Sequence, residues 1–379
     1  MRRGPARRTP GTGRRLTGGA LACAAVLATA APADAAGGPR FGAPAWVPTG
    51  RGPHGLVAAD FNQDGAVDVA TADSVGGAVS VLAGDGHGGL YRRAAVRVAG
   101  GPRRLAAADL DADGDPDLLV ANQTPTVTVL RGGPGHTFTP AGTYRVGTAG
   151  AVLAVGDLSG DGDPDLAVTE EEADRVAVWH GGPGATFAAA DPLRVGRAPR
   201  GVAAADLDGD ADLDLAVAES ASGAVSVLLN DGAGRFAARV AAAAVGGGPH
   251  AVAVGHFDAD ADADLAVAAG RGDRVWVLRG GPGATFGPPA GYPTDPGPFD
   301  LVAADLDGDG DPDLAVASPG SAHLTVLAGT AGAGFAAPVA LPAGLPLAVA
   351  AADLDRDGRP DLVASDFAAN RVTVHRNAT

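Results

Sequence analysis

The chain has 379 residues and a formal charge of −16, with aromatic residues at only 4%. Acidity on this scale excludes partners gripped through phosphate backbones, so nucleic acid is not a target. With one cysteine in the whole chain and few aromatic rings, neither disulfides nor large ring-filled cores can stabilise it, and the layers must be thin and built from Ala, Val and Leu.

The first 35 residues differ from the rest. Arg2, Arg3, Arg7, Arg8, Arg14 and Arg15 precede the apolar run 20–31, and Ala33-Asp-Ala35 fits a small-x-small cleavage site; the pattern reads as an export signal over 1–35. Arg14-Arg15 suggests a twin-arginine route, but the following Leu-Thr-Gly-Gly matches that motif poorly. Ala20, three residues before Cys23, argues against lipid attachment at that cysteine. Removing six arginines and Asp34 leaves the mature chain, 36–379, without cysteine and at a charge of about −21. No later apolar run reaches the roughly 18 residues of a membrane span. The expectation is a secreted, released monomer.

Beyond residue 50 a nonapeptide recurs. Asp60–Asp68, Asp109–Asp117, Asp157–Asp165, Asp206–Asp214, His256–Asp264, Asp305–Asp313 and Asp353–Asp361 begin 49, 48, 49, 50, 49 and 48 residues apart, and spacing that regular is architectural. An apolar stretch such as Val202–Ala205 precedes each nonapeptide, and another such as Leu265–Ala268 follows. Next come a polar turn, an alternating strand such as Val127–Leu130, a Gly-rich hairpin such as 279–286, and a looser strand. Four short strands per repeat, with the second apolar on both faces, hide their surfaces only by stacking. The expected fold is therefore all-β: a seven-bladed propeller of four-stranded blades. The last repeat stops after its third strand, Arg371–His375, and Phe41–Gly50 reads as an orphan fourth strand, so an N-terminal strand should close the ring against the C-terminal repeat. A linear β-helix of nonapeptides has too short a period.

Carried by Phe41-Gly-Ala-Pro44 and by loops such as Asp305-Leu-Asp-Gly-Asp-Gly-Asp-Pro-Asp313, the repeat resembles the FG-GAP or VCBS repeat of secreted bacterial proteins and of the N-terminal propeller of integrin α subunits. The resemblance spans nearly the whole mature chain. It implies a calcium-binding propeller and says little about biological role.

The residues point to the same ion. Loop positions 1, 3, 5 and 9 offer side-chain oxygens, position 7 offers a carbonyl, and Gly at position 6 permits a sharp turn; calcium takes six to eight such oxygens. The ligand sets are Asp60, Asn62, Asp64 and Asp68; Asp109, Asp111, Asp113 and Asp117; Asp157, Ser159, Asp161 and Asp165; Asp206, Asp208, Asp210 and Asp214; Asp258, Asp260 and Asp264; Asp305, Asp307, Asp309 and Asp313; and Asp353, Asp355, Asp357 and Asp361. Up to seven calcium ions are expected, with the 256–264 loop weakest, because His256 replaces a carboxylate and Ala261 the turn glycine. The helices and closing Glu of an EF-hand are missing from the pattern. Acidic surface turns without metal are the plain alternative.

Other features carry less. No G-x-S-x-G, H-E-x-x-H or phosphate-cradle motif occurs. Arg271-Gly-Asp273 has the letters of an adhesion tripeptide, but Asp273 fills a turn slot held by Asp174 and Asn370 in other repeats. Trp179 aligns with core leucines, Trp276 with positions polar elsewhere, and Glu170–Glu172 reads as a solvated turn. His54, Arg103, Arg200, His250 and Phe299 stand at equivalent positions before each innermost strand; around one channel mouth they would form a basic rim for an anionic ligand, or simply salt-bridge to nearby acids. The expected function is a secreted calcium-binding propeller that binds a protein or a glycan as an adhesion module. A polysaccharide lyase or hydrolase on the same scaffold is the alternative, and three Trp and three Tyr are a poor supply of sugar-stacking rings.

Overall fold

The computed structural model describes residues 37–147, 152–237, 240–258, 260–331 and 334–379. The export-signal segment 1–35 lies outside the described residues. Seven antiparallel sheets form the blades of a propeller, each ordered in sequence from its innermost strand outward. The second blade shows the plan: Pro102–Ala108 innermost, then Asp117–Asn122, Thr126–Arg131 and Thr139–Arg145 at the rim. In the third blade the rim strand is split, and both Thr186–Ala189 and Leu193–Arg194 pair with Arg175–Gly182. In the seventh, Ala45–Pro48 supplies the rim strand to Arg371–His375, Ala45 opposite Val374 and Val47 opposite Val372. Phe41 bridges to Asn377 beside it. The two ends of the chain therefore share one sheet, as the orphan strand predicts.

The second strands explain the stacking. All six residues of Asp117–Asn122 are buried. Leu118 and Val120 pack with Val57 and Phe61 of the first blade, whereas Leu119 and Ala121 pack with Leu153, Val155 and Leu166 of the third. Alternation along one strand thus serves both neighbours. Seven such clusters lie between neighbouring blades; the one joining Leu56, Val69 and Leu82 to Leu354, Val363 and Val372 closes the ring. Truncating a fully buried leucine such as Leu118 would cost about 2–5 kcal/mol.

Two aromatic questions resolve here. Trp179 packs against the cluster between the second and third blades with its ring edge-on to Tyr144 at 5.8 Å. Trp276 packs against the cluster between the fourth and fifth. Among the described residues no helix is long and apolar enough to cross a membrane.

Each innermost strand starts at the channel mouth and runs into a nonapeptide loop. Seven residues such as Pro53–Ala59 rise about 3.3 Å each, so mouth and loops sit on opposite faces roughly 20 Å apart. Register shifts between Pro53 and Leu56, Pro102 and Arg104, Pro199 and Gly201, Pro249 and Ala251, and Pro346 and Val349 mark bulges at the mouth residues. Bulges of this kind re-aim a side chain where a strand begins.

Candidate metal centre

Backbone donors shape each loop. In six of the seven, the position-6 N–H donates to the position-1 carboxylate at 2.7–3.1 Å: Gly65 to Asp60, Gly114 to Asp109, Gly162 to Asp157, Ala211 to Asp206, Gly310 to Asp305 and Gly358 to Asp353. Position 6 is left-handed in all six, including Ala211 at φ 75°, where a Cβ is strained. Position 4 is left-handed as well, at Gln63, Ala112 and Arg356 among others. The fifth loop departs from this plan. Ala261 is not left-handed, and the Nδ1 of His256 lies 3.1 Å from the Asp262 carbonyl, the position-7 oxygen expected to face an ion.

Position 9 has a role beyond that of a ligand. Its aspartate is buried in every loop. One oxygen accepts the position-2 N–H at 2.6–3.1 Å, and the other accepts an N–H at the end of the blade's third strand at 2.6–2.8 Å. Each of these carboxylates therefore ties its loop to its own blade. The strand-end residue is glycine five times, and at Gly132 a Cβ would stand 2.3 Å from the Pro116 carbonyl. At Asn230 and Asn377 the side chain instead donates to loop carbonyls of its own and the preceding blade: Leu213 and Leu158, Pro360 and Leu306.

The cages fit a hard cation. Ligands about 2.4 Å from one ion lie at most about 4.8 Å apart. Oxygens of Asp109, Asp111 and Asp117 lie within 4.8 Å of one another, as do those of Asp206, Asp208 and Asp210, of Asp305, Asp307 and Asp313, and of Asp353, Asp355 and Asp357. Among the described residues, four loop oxygens at positions 1 and 3, namely Asp109 Oδ1, Asp111 Oδ1, Ser159 Oγ and Asp355 Oδ1, are buried without a hydrogen-bond partner. Such oxygens are costly unless something positive meets them. Burial raises the carboxyls of Asp117, Asp214 and Asp361 to about 6 and that of Asp313 to about 8, with neighbouring loop carboxylates adding to the rise. Asp307 is likewise pushed up to about 6 by burial and then by Asp309. A cation in the cage opposes both causes.

Several residues at these loops escaped the sequence reading. Arg131 Nε lies 2.8 Å from Asp111 Oδ2 and Arg279 Nε 4.0 Å from Asp258 Oδ2, so two blades set their own guanidinium against position 3. His136, carried by the second blade's hairpin, is buried with Nε2 3.0 Å from Asp68 Oδ2, and Phe138 of that hairpin meets Phe61 edge-on at 5.6 Å. The sequence signal was the hairpin itself, which hangs over the preceding blade's loop: His136 stands two residues before Phe138, where Ala185 and Ala284 stand before Phe187 and Phe286.

The five mouth residues come together on the opposite face. Arg103 Nε donates to His54 Nε2 at 3.1 Å; the Phe299 ring centre lies 6.1 Å from that of His54 and 5.1 Å from that of His250; Arg200 Nη1 stands 3.5 Å from His250 Nε2 and pairs with Glu171 at 2.7 Å. Burial, then Arg104 and Arg103, push the His54 imidazole down to about 2; burial, then Arg200, push His250 to about 4. Both rings are neutral at pH 7. Arg104 and Asp300, one residue further along their strands, pair across the channel at 3.5 Å and were not anticipated.

Two surface readings change or sharpen. Glu170 is buried, not solvated: it accepts the Gly147 N–H and pairs with Arg175. Asp273 is left-handed at φ 49° and accepts the Gly297 N–H at 2.9 Å, as Asp174 accepts that of Ala198 and Asn370 that of Gly52. The acid of Arg271-Gly-Asp273 thus joins two blades.

A family model described as FG-GAP-like repeat matches residues 60–120, 109–168, 157–217, 206–267, 256–316 and 305–364. No curated protein matches the chain. Among solved structures, BBS1N in complex with ARL6DN is 14% identical at a TM-score of 0.61, covering 88% of this chain and 97% of that one. A lectin of Agrocybe aegerita that recognises non-reducing terminal N-acetylglucosamine is 18% identical at 0.56, covering 86% and 85%. A putative 6-phosphogluconolactonase of Bacteroides uniformis is 17% identical at 0.58, covering 78% and 87%. At these identities the likeness is one of fold.

Proposed function

The chain belongs to the FG-GAP-like repeat family, and from that premise we propose that it is a secreted, calcium-stabilised propeller acting as a binding or adhesion module for a protein or glycan. The observation that carries the reading is the set of buried, partnerless loop oxygens on Asp109, Asp111, Ser159 and Asp355. Oxygen-only cages of this span suit calcium, which is abundant outside cells and scarce within them; magnesium sheds its water reluctantly. With six working loops the ions would stiffen one whole face of the propeller. The fold shared with the Agrocybe aegerita lectin supports the glycan arm. Trp46 and Tyr91, exposed on the rim strands of the seventh and first blades, are the rings on which a sugar would stack. Arg371 lies 4.7 Å from the Trp46 ring centre and steadies it from one side.

The reading is tested by screening the calcium-loaded protein on a polysaccharide array while assaying the same polysaccharides for shortened chains. Retention without shortening, weakened at least tenfold by Trp46→Ala, is the expected result. Chain shortening would replace the binding reading with a lyase or hydrolase on this scaffold. No retention anywhere on the array would remove the glycan arm.

A further inference from the structure

The seven innermost strands enclose an axial cavity of about 330 Å³, within the range of small-ligand sites, about 300–1,000 Å³. Its wall is aliphatic, formed by Val57, Leu105, Val202, Val252, Val302 and Val349 among others. Among the described residues of the lining, Arg104 and Asp300 are the only charges at the mouth end, and Asp60 and Asp353 line the opposite end. Gly55, Val152, Gly201, Ala251 and Ala348 occupy the same level in the other blades, so two long polar side chains reach into a ring otherwise made of small residues.

The polar groups there are under-used. The guanidinium of Arg104 has five N–H donors, yet among the described residues its one hydrogen bond goes to Asp300 at 3.5 Å, the limit of a useful contact. The face of Phe299 covers it at 5.2 Å. His54 accepts the Arg103 donor at Nε2, which leaves its ring hydrogen on Nδ1, and among the described residues that buried atom has no partner. Charge at this mouth is positive on a strongly acidic protein: Arg103, Arg104 and Arg200 face Asp300 and Glu171, and Arg200 is already taken by Glu171. Burial pushes the Asp300 carboxyl up, which lowers the cost of sharing Arg104 with another acid. Residues 148–151, which precede the third blade's innermost strand in the sequence, carry no charge.

We propose that the channel is a binding site for a slender aliphatic monocarboxylate, its carboxylate held by Arg104 at the mouth and its chain lying along the valine-lined tube. Planar guanidinium recognises carboxylate with two parallel bonds, and the valine-lined wall suits an alkyl chain. The carboxylate end of the site lies at the mouth, on the face opposite the loops, while the far end of the lining reaches Asp60 and Asp353 of the first and seventh loops, so the binding test is made on the calcium-loaded protein.

The test is calorimetric titration of the calcium-loaded mature protein at pH 7.5 with n-alkanoates from butanoate to dodecanoate, with the matching n-alkylamines and n-alkanols as comparisons. Alkanoates should bind with affinity rising about fourfold per added methylene, then falling once the chain outgrows the cavity. Amines and alcohols should bind at least tenfold more weakly. Arg104→Met should erase the preference for alkanoate over alkanol, and Val302→Phe, which keeps the guanidinium, should move the length optimum to a shorter chain. Equal binding of all three headgroups, an unchanged preference in Arg104→Met, or no heat with any alkanoate would overturn the proposal. Because only headgroup and chain length vary in the wild-type comparison, a variant that failed to fold would not rescue it.

Discussion

A single aspartate can hold a loop in two ways, and the last residue of each nonapeptide does both. Asp117 is tied by the Leu110 and Gly132 N–H groups, while its oxygens also stand within cage distance of Asp109 and Asp111. Alternate spacing of carboxylates revealed the cage; it could not reveal the tie, because the Gly132 donor lies a whole hairpin away in sequence. Histidine at 256 and alanine at 261 marked the fifth loop as weak, and the coordinates supply a physical reason in the His256 ring on the Asp262 carbonyl. Asp113→Ala should therefore lower the calcium-saturated melting temperature more than Asp260→Ala. Loss of one site at calcium tenfold above its dissociation constant removes about 1.4 kcal/mol, roughly 2 °C for a domain of this size; in chelator the Asp113→Ala difference should vanish. Melting curves that put Asp260→Ala lower would reverse the ranking of the loops.

At the scale of strands, the plan of the molecule was legible because one period governs everything. Regular spacing of the loops fixed the blade number, two-sided apolar second strands such as Asp117–Asn122 fixed the stacking, and the orphan Phe41–Gly50 segment fixed the closure. What stayed hidden depends on neighbours distant in sequence. Arg104 and Asp300, 196 residues apart, meet only because opposite blades face one channel, and His136 reaches Asp68 only because a hairpin leans on the preceding blade. Glu170 differs: its partners are near in sequence, Arg175 five residues on and Gly147 23 residues back, and the local turn that brings them together is what buries an apparently solvated acid. Closure itself is testable. The rim strand Ala45–Pro48 adds a ladder to Arg371–His375 and places Val47 against the cluster between the seventh and first blades. A protein trimmed to begin at Gly50 should melt at least about 5 °C lower and less cooperatively than one beginning at Ala36, since the outer edge of the seventh blade is then bare. An unchanged transition would mean that the strand contributes nothing to holding the ring.

For the molecule as a whole, charge decides the balance. The seven loops contain 30 of the 44 acidic residues, and a chain with a single cysteine, Cys23, can form no internal disulfide to offset their repulsion. On the proposed reading, six calcium sites at about 1.4 kcal/mol each would approach the whole stability of an ordinary domain, about 5–15 kcal/mol. Proton linkage sets a sign that distinguishes this account from a merely acidic surface. In the cation-free protein the carboxyls of Asp117, Asp214 and Asp361 titrate near 6 and that of Asp313 near 8, above the 3.8 of a free aspartate. Raised folded-state values stabilise fully below 3.8 and lose that stabilisation as pH climbs through 6 to 8. Calcium competes with those protons, so its own contribution grows over the same range.

The decisive measurement is thermal unfolding of the mature protein at pH 5 and pH 8, each with millimolar calcium and with chelator. The melting temperature in chelator should be higher at pH 5 than at pH 8, and calcium should raise it far more at pH 8, by well over 10 °C. Curves that coincide with and without calcium at pH 8 would contradict the claim that captured cations hold this ring of blades together.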